Sequence, residues 1–140
     1  MDSNLLLVGC GKMGTALLRG WLSSGFKSND ILIIEPDEKT VGFPKSQGVR
    51  VINSVEMLDQ SYEARVVVFA VKPHAMGAVL PAYQATDLSN SVVLSIAAGI
   101  TLDFLEGYLV GHQSLLIDLD RRCSLLLHLF LHVFSLFHLC

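Results

Sequence analysis

The sequence has few cysteines and no residue spacing typical of a metal site. Its three cysteines, Cys10, Cys123 and Cys140, are odd in number, and no two are spaced as C-x-x-C. Neither a disulfide framework nor a zinc site is therefore indicated. His128 and His132 are spaced i, i+4, but the acidic companion of the zinc-protease motif is missing. We predict no metal ion.

Positive charge is also scarce. Ten lysines and arginines stand against thirteen acidic residues, for a net charge of −3. No basic stripe is present, which argues against a nucleic acid partner. The first residues lack the basic start of a signal peptide, and the apolar run at 5–8 is too short for its core, so we expect the cytoplasm. No internal repeat is visible in the 140 residues, a length that suits one domain with a sizeable core.

What the sequence does contain is a glycine motif in a complete structural setting. The apolar run Leu5–Val8 leads into Gly-Cys-Gly-Lys-Met-Gly at 9–14, which reads G-x-G-x-x-G. Apolar residues at helical spacing follow over 15–22, and a second apolar run, Ile31–Ile34, is closed by Glu35. This carboxylate lies 21 positions after Gly14, close to the spacing of about 20 that is expected for a ribose-binding acid.

Each glycine of the motif has a physical role in binding a dinucleotide. Gly9 permits the tight turn out of the strand, Gly11 leaves the backbone open to a pyrophosphate, and Gly14 lets the helix lie close to the sheet. The free N–H groups and the positive end of the helix dipole then face the phosphates. The motif predicts dinucleotide binding, and the alternative is an ordinary glycine turn.

Strand and helix patterns alternate through residue 110, which predicts an α/β fold with a parallel sheet covered on both faces. This is a Rossmann-type, doubly wound arrangement. We predict strands near 4–9, 30–35, 49–52, 65–71 and 91–96, helices near 12–23, 73–84 and 101–110, and a shorter turn near 54–59. In the segment 37–46, Gly42 and Pro44 are expected to interrupt any helix.

The composition changes near residue 111, so we predict a dinucleotide-binding domain over 1–111 and a separate segment over 112–140. Within this segment, 115–117 is a candidate sixth strand. Residues 124–140 are nearly all Leu, Phe and His, an atypical hydrophobic tail. Its histidines and its short length weaken the case for a membrane span. We favour a tail unrelated to the domain's function over a packed helix, and a packed helix over membrane contact.

Three segments of the sequence resemble the amino-terminal half of pyrroline-5-carboxylate reductase. They are Leu-Val-Gly-Cys-Gly-Lys-Met-Gly at 7–14, Val-Phe-Ala-Val-Lys-Pro-His at 68–74 and Val-Leu-Ser-Ile-Ala-Ala-Gly-Ile-Thr at 93–101. Members of that family reduce the cyclic imine 1-pyrroline-5-carboxylate to L-proline with NADPH or NADH. The resemblance covers about residues 4–110 and implies an NAD(P)-binding oxidoreductase domain of proline biosynthesis.

The resemblance also implies a cofactor site. The glycine loop would hold the pyrophosphate, Glu35 and Pro36 would meet the adenosine ribose, and Asn53 would approach the adenine. The ends of the fourth and fifth predicted strands would complete the crevice, and no catalytic residue is identified. The implied cofactor-binding residues are Gly9, Cys10, Gly11, Lys12, Met13, Gly14, Glu35, Pro36, Asn53, Ala70, Val71, Lys72, Pro73, Ile96, Ala97 and Ala98.

Glu35 and Lys72 each allow two interpretations. Many family members have a small hydroxyl residue in place of Glu35, which suits a 2′-phosphate, whereas a carboxylate accepts a hydrogen bond from a free 2′-OH and repels a phosphate. We therefore expect NADH to be favoured over NADPH, unless Glu35 points into solvent. Lys72 either contacts the cofactor or, with Pro73, only begins the next helix.

The family pattern breaks after residue 110. There the family continues with a sixth strand, a Met-Pro-Asn-Thr-Pro segment and a helical domain that builds the dimer and completes the imine pocket; residues 113–140 match none of it. Since hydride transfer needs the imine held beside the nicotinamide, we expect a truncated enzyme with little or no reductase activity. The alternatives are a non-catalytic dinucleotide-binding fragment and another small Rossmann dehydrogenase. The oligomeric state is left open.

Overall fold

The chain forms a parallel β-sheet flanked by helices. The computed structural model describes residues 5–109 and 115–118. Three short 3₁₀ turns, Ser28–Asp30, Val55–Met57 and Leu80–Tyr83, lie between the larger elements. In chain order these larger elements are β1 (Leu5–Val8), α1 (Lys12–Ser23), β2 (Ile31–Ile34), α2 (Gly42–Ser46), β3 (Arg50–Ile52), β4 (Val66–Phe69), α3 (Pro73–Val79), β5 (Val92–Ser95), α4 (Leu102–Tyr108) and β6 (Leu115–Asp118).

The strand order is β3-β2-β1-β4-β5-β6, and every neighbouring pair is parallel. The chain winds outward from β1 in one direction and then, from β4, in the other, so the strand order reverses between β1 and β4. Val8 at the end of β1 is in register with Ile34 of β2 and Phe69 of β4. The carboxyl ends of these strands are therefore level, and the predicted doubly wound α/β fold is confirmed.

Strands β1, β2 and β4 are apolar and buried throughout, because both faces of the sheet are covered there. Alternate residues of β1 enter different cores: Leu5 and Leu7 pack with Leu18 and Trp21 of α1, whereas Leu6 packs on the opposite face. The side chains in that second core include Met76 of α3, Leu80, Leu105 of α4 and Leu109. Each helix thus packs against the sheet through its buried residues, and the loops at the strand ends are left to form a site.

The helix predicted over 73–84 is α3 followed by a 3₁₀ turn that begins at Leu80. Pro81 lacks the N–H that an α-helix would direct at the carbonyl four residues earlier, which accounts for the change. The prediction that Gly42 and Pro44 interrupt any helix over 37–46 is wrong for Gly42–Ser46, which is α2. Pro44 is the third residue of α2, where a backbone N–H has no partner within the helix, so no bond is lost.

The candidate strand at 115–117 is β6, which pairs with β5 from Val92–Leu115 to Ser95–Asp118. The sheet therefore continues past the domain boundary that we predict at residue 111. The hydrophobic tail over 124–140 lies outside the described residues, as do Cys123, Cys140, His128 and His132, and the three interpretations of the tail remain predictions. Within the described part of the chain, no helix has both the length and the apolar character needed to cross a membrane.

Candidate dinucleotide-binding crevice

A crevice of about 1090 Å³ opens at the carboxyl ends of β1, β2, β4 and β5. It lies at the point where the strand order reverses, which is where open α/β sheets bind their ligands. Four segments of the chain line it: the loop 9–13 with the adjoining face of α1, the residues that follow β2, the link from β4 into α3, and residues 96–98 after β5.

Gly9 makes the turn that carries β1 into α1. Its φ is +92°, a conformation that favours glycine. A Cβ atom here would lie 2.9 Å from Val71 Cγ1 and 3.0 Å from the carbonyl oxygen of Ala70. Both the backbone conformation and the close approach of the β4 end therefore require glycine.

Gly14 and Gly11 differ in what surrounds them. A Cβ atom on Gly14 would collide with the carbonyl oxygen of Gly9, so this glycine allows α1 to pack closely on the loop. A Cβ atom on Gly11 would meet no atom of the described residues within 4 Å, apart from its chain neighbours. The fold thus needs Gly14, whereas the space at Gly11 is open on the crevice side and fits the approach of a pyrophosphate.

The amino end of α1 carries the positive end of the helix dipole. The first turn of α1 contains no acidic residue, and no side chain caps its N–H groups. Lys12 and Met13, its first two residues, are exposed and line the crevice. Free N–H groups at the start of a twelve-residue helix attract an anion, and Lys12 adds a positive charge.

Glu35 at the end of β2 is bonded to the glycine loop. Its Oε2 accepts a hydrogen bond from the Cys10 N–H at 2.6 Å, and its Oε1 accepts one from the Asp37 N–H at 2.9 Å. Glu35 is half-buried and lines the crevice. The carboxylate is therefore fixed beside the loop rather than pointing freely into solvent, and it stands where a ribose hydroxyl could donate to it.

Cys10 fills the space beneath the loop. Its side chain is fully buried, and its Sγ lies 3.6 Å from Thr15 Oγ1, which also donates to the Cys10 carbonyl oxygen at 3.2 Å. Burial raises the pKa of the Cys10 thiol, the Thr15 hydrogen bond opposes this, and the Glu35 charge adds to it. The thiol is thus held in its neutral form and is a packing group rather than a nucleophile.

The opposite wall is built by the ends of β4 and β5. Lys72 has an extended backbone and precedes α3, and Pro73 is the first residue of that helix. Both line the crevice, so Lys72 can precede α3 and still be close enough to contact a cofactor. After β5, the N–H of Ala97 donates to the buried hydroxyl of Ser95 at 3.3 Å, which helps to fix residues 96–98.

The structure brings together most of the residues that the sequence predicts. All of them line the crevice except Gly14, which is buried behind the loop, and Pro36 and Asn53, which are exposed outside its walls. Cofactor contacts by Pro36 and Asn53 remain predictions. The lining residues that sequence reasoning missed are Thr15, Ala16, Arg19, Asp37, Thr40 and Ala75.

Helical periodicity could have found two of these missed residues. Ala16 and Arg19 follow Lys12 at i+4 and i+7 on one face of α1.

Among the described residues, no three His, Cys, Asp or Glu side chains are grouped so that they could hold a metal ion.

Comparison with known proteins matches this chain to one family model and to several reductases. The family described as NADP oxidoreductase, coenzyme F420-dependent, matches residues 4–99. Pyrroline-5-carboxylate reductase of Escherichia coli (strain K12) is 34% identical over 115 residues, which are 81% of this chain and 42% of the enzyme. The enzyme of Haemophilus influenzae is 30% identical over 111 residues, 79% of this chain and 40% of the enzyme.

Among solved structures, a pyrroline-5-carboxylate reductase from Coxiella burnetii superposes with a TM-score of 0.72 at 28% identity, over 83% of this chain and 43% of that one. The chain spans about two fifths of the length of the curated relatives it matches. The match begins at the first strand and includes the glycine loop, the crevice and β5. The chain therefore belongs to the family described as NADP oxidoreductase, coenzyme F420-dependent, and it resembles the amino-terminal cofactor domain of the pyrroline-5-carboxylate reductases.

Proposed function

We propose that this chain is the NAD(P)H-binding domain of a pyrroline-5-carboxylate reductase-like oxidoreductase. The observation that carries the proposal is the open space in front of Gly11 at the amino end of α1, in a crevice at the point where the strand order reverses. A diphosphate fits there because the backbone is bare and the helix end is positive.

Different residues of the crevice would bind different parts of the dinucleotide. The loop 9–13 would donate backbone hydrogen bonds to the pyrophosphate, with Lys12 adding its charge. Glu35 would accept from the adenosine ribose, and the ends of β4 and β5 would flank the nicotinamide half. Bound NAD(P)H supplies a hydride, and the protein's contribution is to hold and orient its reactive ring.

We further propose that NADH is favoured over NADPH. The Glu35 carboxylate is fixed by the Cys10 and Asp37 N–H groups, so it cannot easily turn away from a ligand. A fixed carboxylate accepts a hydrogen bond from a free 2′-OH and repels a 2′-phosphate. Titration of the protein with each cofactor tests this preference, and tighter binding of NADPH would contradict it.

The proposed substrate class is a small cyclic imino acid, 1-pyrroline-5-carboxylate, reduced to L-proline. Hydride transfer requires the imine to be held beside the nicotinamide, so turnover of 1-pyrroline-5-carboxylate is the property that distinguishes this reductase from a chain that only binds the cofactor. A non-catalytic dinucleotide-binding role is the second candidate, and the cytoplasm is the proposed location.

The test is calorimetric titration of NADH into the wild-type protein and into G11A and G20A. Both glycines have open space around an added Cβ atom, so both variants are expected to fold, and only the methyl group of G11A faces the crevice. We expect G11A to weaken NADH binding by about tenfold or more, the scale of losing a hydrogen bond to a charged group. G20A should bind like the wild type.

Absence of NADH and NADPH binding by the wild-type protein would overturn the proposal, and so would equal binding by G11A and G20A. An assay with 1-pyrroline-5-carboxylate and NADH then separates the two candidate functions. Turnover would favour the reductase, whereas binding without turnover would favour the cofactor-binding role.

A further inference from the structure

Arg19 is a charged residue of the crevice to which the proposed function gives no role. It lies in α1, seven residues after Lys12 and therefore on the same helical face. Its side chain is exposed and lines the same crevice as Glu35, Asp37 and Thr40, the residues at and after the end of β2. This is the adenosine end of the crevice, because the ribose-binding acid of such folds stands at the end of β2.

Phe43 of α2 fixes the position of the Arg19 guanidinium. The Arg19 Cζ atom lies 3.8 Å from the centre of the Phe43 ring. A guanidinium over an aromatic face is held by the ring's electron density and keeps its N–H donors free in its own plane. The α1–α2 contact therefore favours one orientation of the guanidinium at the mouth of the crevice, which reduces the side-chain entropy lost on binding.

The charges around this point have opposite effects on a phosphate. Glu35 and Asp37 contribute carboxylates, and each already accepts hydrogen bonds from backbone N–H groups. Arg19 contributes a cation from the facing helix. A ribose with a free 2′-OH would be held by Glu35 alone, whereas a 2′-phosphate would need a cation to offset the two carboxylates.

We propose that Arg19 is a second determinant of cofactor choice, which donates hydrogen bonds to the 2′-phosphate of NADPH. The preference for NADH that Glu35 sets is then partial, and NADPH binds measurably because Arg19 is held in place by Phe43. This inference rests on the proposed function, since it concerns the adenosine end of the same dinucleotide site.

The test compares dissociation constants for NADH and NADPH in the wild-type protein, R19Q and K27Q. We expect R19Q to weaken NADPH binding by about tenfold or more, the scale of one hydrogen bond between charged groups. NADH binding should change by less than about twofold. K27Q removes the same charge from a residue just before the start of β2, at the opposite end of the sheet, and should leave the ratio of the two constants unchanged.

A second variant separates charge from orientation. F43L keeps Arg19 but removes the ring beneath it, so NADPH binding should weaken by a few-fold while NADH binding is retained. If R19Q does not fold, R19K answers the same question, because lysine keeps the charge but lacks the planar fork. R19K is expected to weaken NADPH binding selectively.

The outcomes are distinguishable from those for the proposed function. A wild-type protein that binds neither cofactor refutes the dinucleotide site as a whole. Binding of both cofactors with an equal loss of both in R19Q refutes the inference alone, because Arg19 would then act on a part that the two cofactors share. An R19Q protein that binds both cofactors as tightly as the wild type also refutes it.

Discussion

The Glu35 carboxylate and the Cys10 backbone N–H are joined by a 2.6 Å hydrogen bond across 25 positions of sequence. This bond ties the end of β2 to the glycine loop that follows β1. The group expected to bind ribose and the loop expected to bind pyrophosphate are therefore held as one unit before any ligand arrives. Such pre-organisation lowers the entropic cost of binding the ligand.

Replacing Glu35 with alanine should therefore lower stability as well as binding. The E35A variant leaves the N–H groups of Cys10 and Asp37 without their acceptor, and we expect a loss of about 1–3 kcal/mol in the free energy of unfolding. E38A is the matched control: the Glu38 side chain is 76% exposed and pairs with Lys45 at 3.0 Å, so its loss should stay below about 1 kcal/mol. Urea unfolding measures both, and equal losses would contradict the structural role of Glu35.

Gly14 and Gly20 lie in the same helix and should respond oppositely to alanine. G14A places a methyl group against the Gly9 carbonyl oxygen, and overpacking of this kind costs roughly 1–3 kcal/mol. G20A meets no close neighbour among the described residues and should raise the free energy of unfolding by about 0.5–1 kcal/mol through helix propensity. Thermal and urea unfolding of the two variants are the measurements. A G14A protein as stable as G20A would show that the loop moves freely.

The buried hydroxyl of Tyr83 has no hydrogen-bond partner among the described residues. Burial, with the charge of Glu56 as a smaller cause, raises the pKa of Tyr83 above its ordinary value. Because the unsatisfied hydroxyl carries a desolvation cost, we expect Y83F to raise the free energy of unfolding by about 1 kcal/mol. Y83L also removes the hydroxyl but loses the edge-on ring contact with Phe69, whose centre is 5.1 Å away, and should be destabilised. Destabilisation of Y83F would point to a partner for the hydroxyl.

The Cys10 thiol should react slowly in the folded protein. Its pKa is raised above the ordinary value of 9.0, chiefly by burial, and the thiolate is the reactive form. At pH 8 we expect iodoacetamide to label Cys10 far more slowly than in denaturant, as read by mass spectrometry of the peptide that contains it. Rapid labelling in the native state would contradict the burial of the thiol.

The same shift gives a pH dependence of stability. Since the folded protein favours the neutral thiol, the contribution of Cys10 is present below pH 9 and is lost as the pH rises through and above that value. Between pH 8 and pH 10, the wild type should therefore lose more stability than C10A. A parallel decline of both proteins would be the opposite result.

The sequence predicts the sheet well because its strands are short apolar runs that are buried on both faces. The glycine loop is predicted equally well, because Gly9 and Gly14 are required by backbone geometry and close packing that leave a local signature. By contrast, the sequence does not predict α2, because proline usually interrupts a helix. Pro44 lies in the first turn of α2, where its missing N–H costs no hydrogen bond. Helical periodicity places Arg19 on the face of α1 that carries Lys12, but the sequence does not show that this face lines the crevice. The role of Arg19 depends on Phe43, which the chain brings to it only by folding.

The pairing of Leu5 with Val66 has a consequence for how this chain is made. β1 acquires its first neighbour when β2 emerges from the ribosome, but its other side stays unpaired until Val66–Phe69 have been synthesised. During that interval a fully apolar strand presents open N–H and C=O groups along one side, a configuration that invites pairing with other nascent chains. The central position that later protects β1 from water therefore leaves one of its edges open until the middle of the chain has been synthesised.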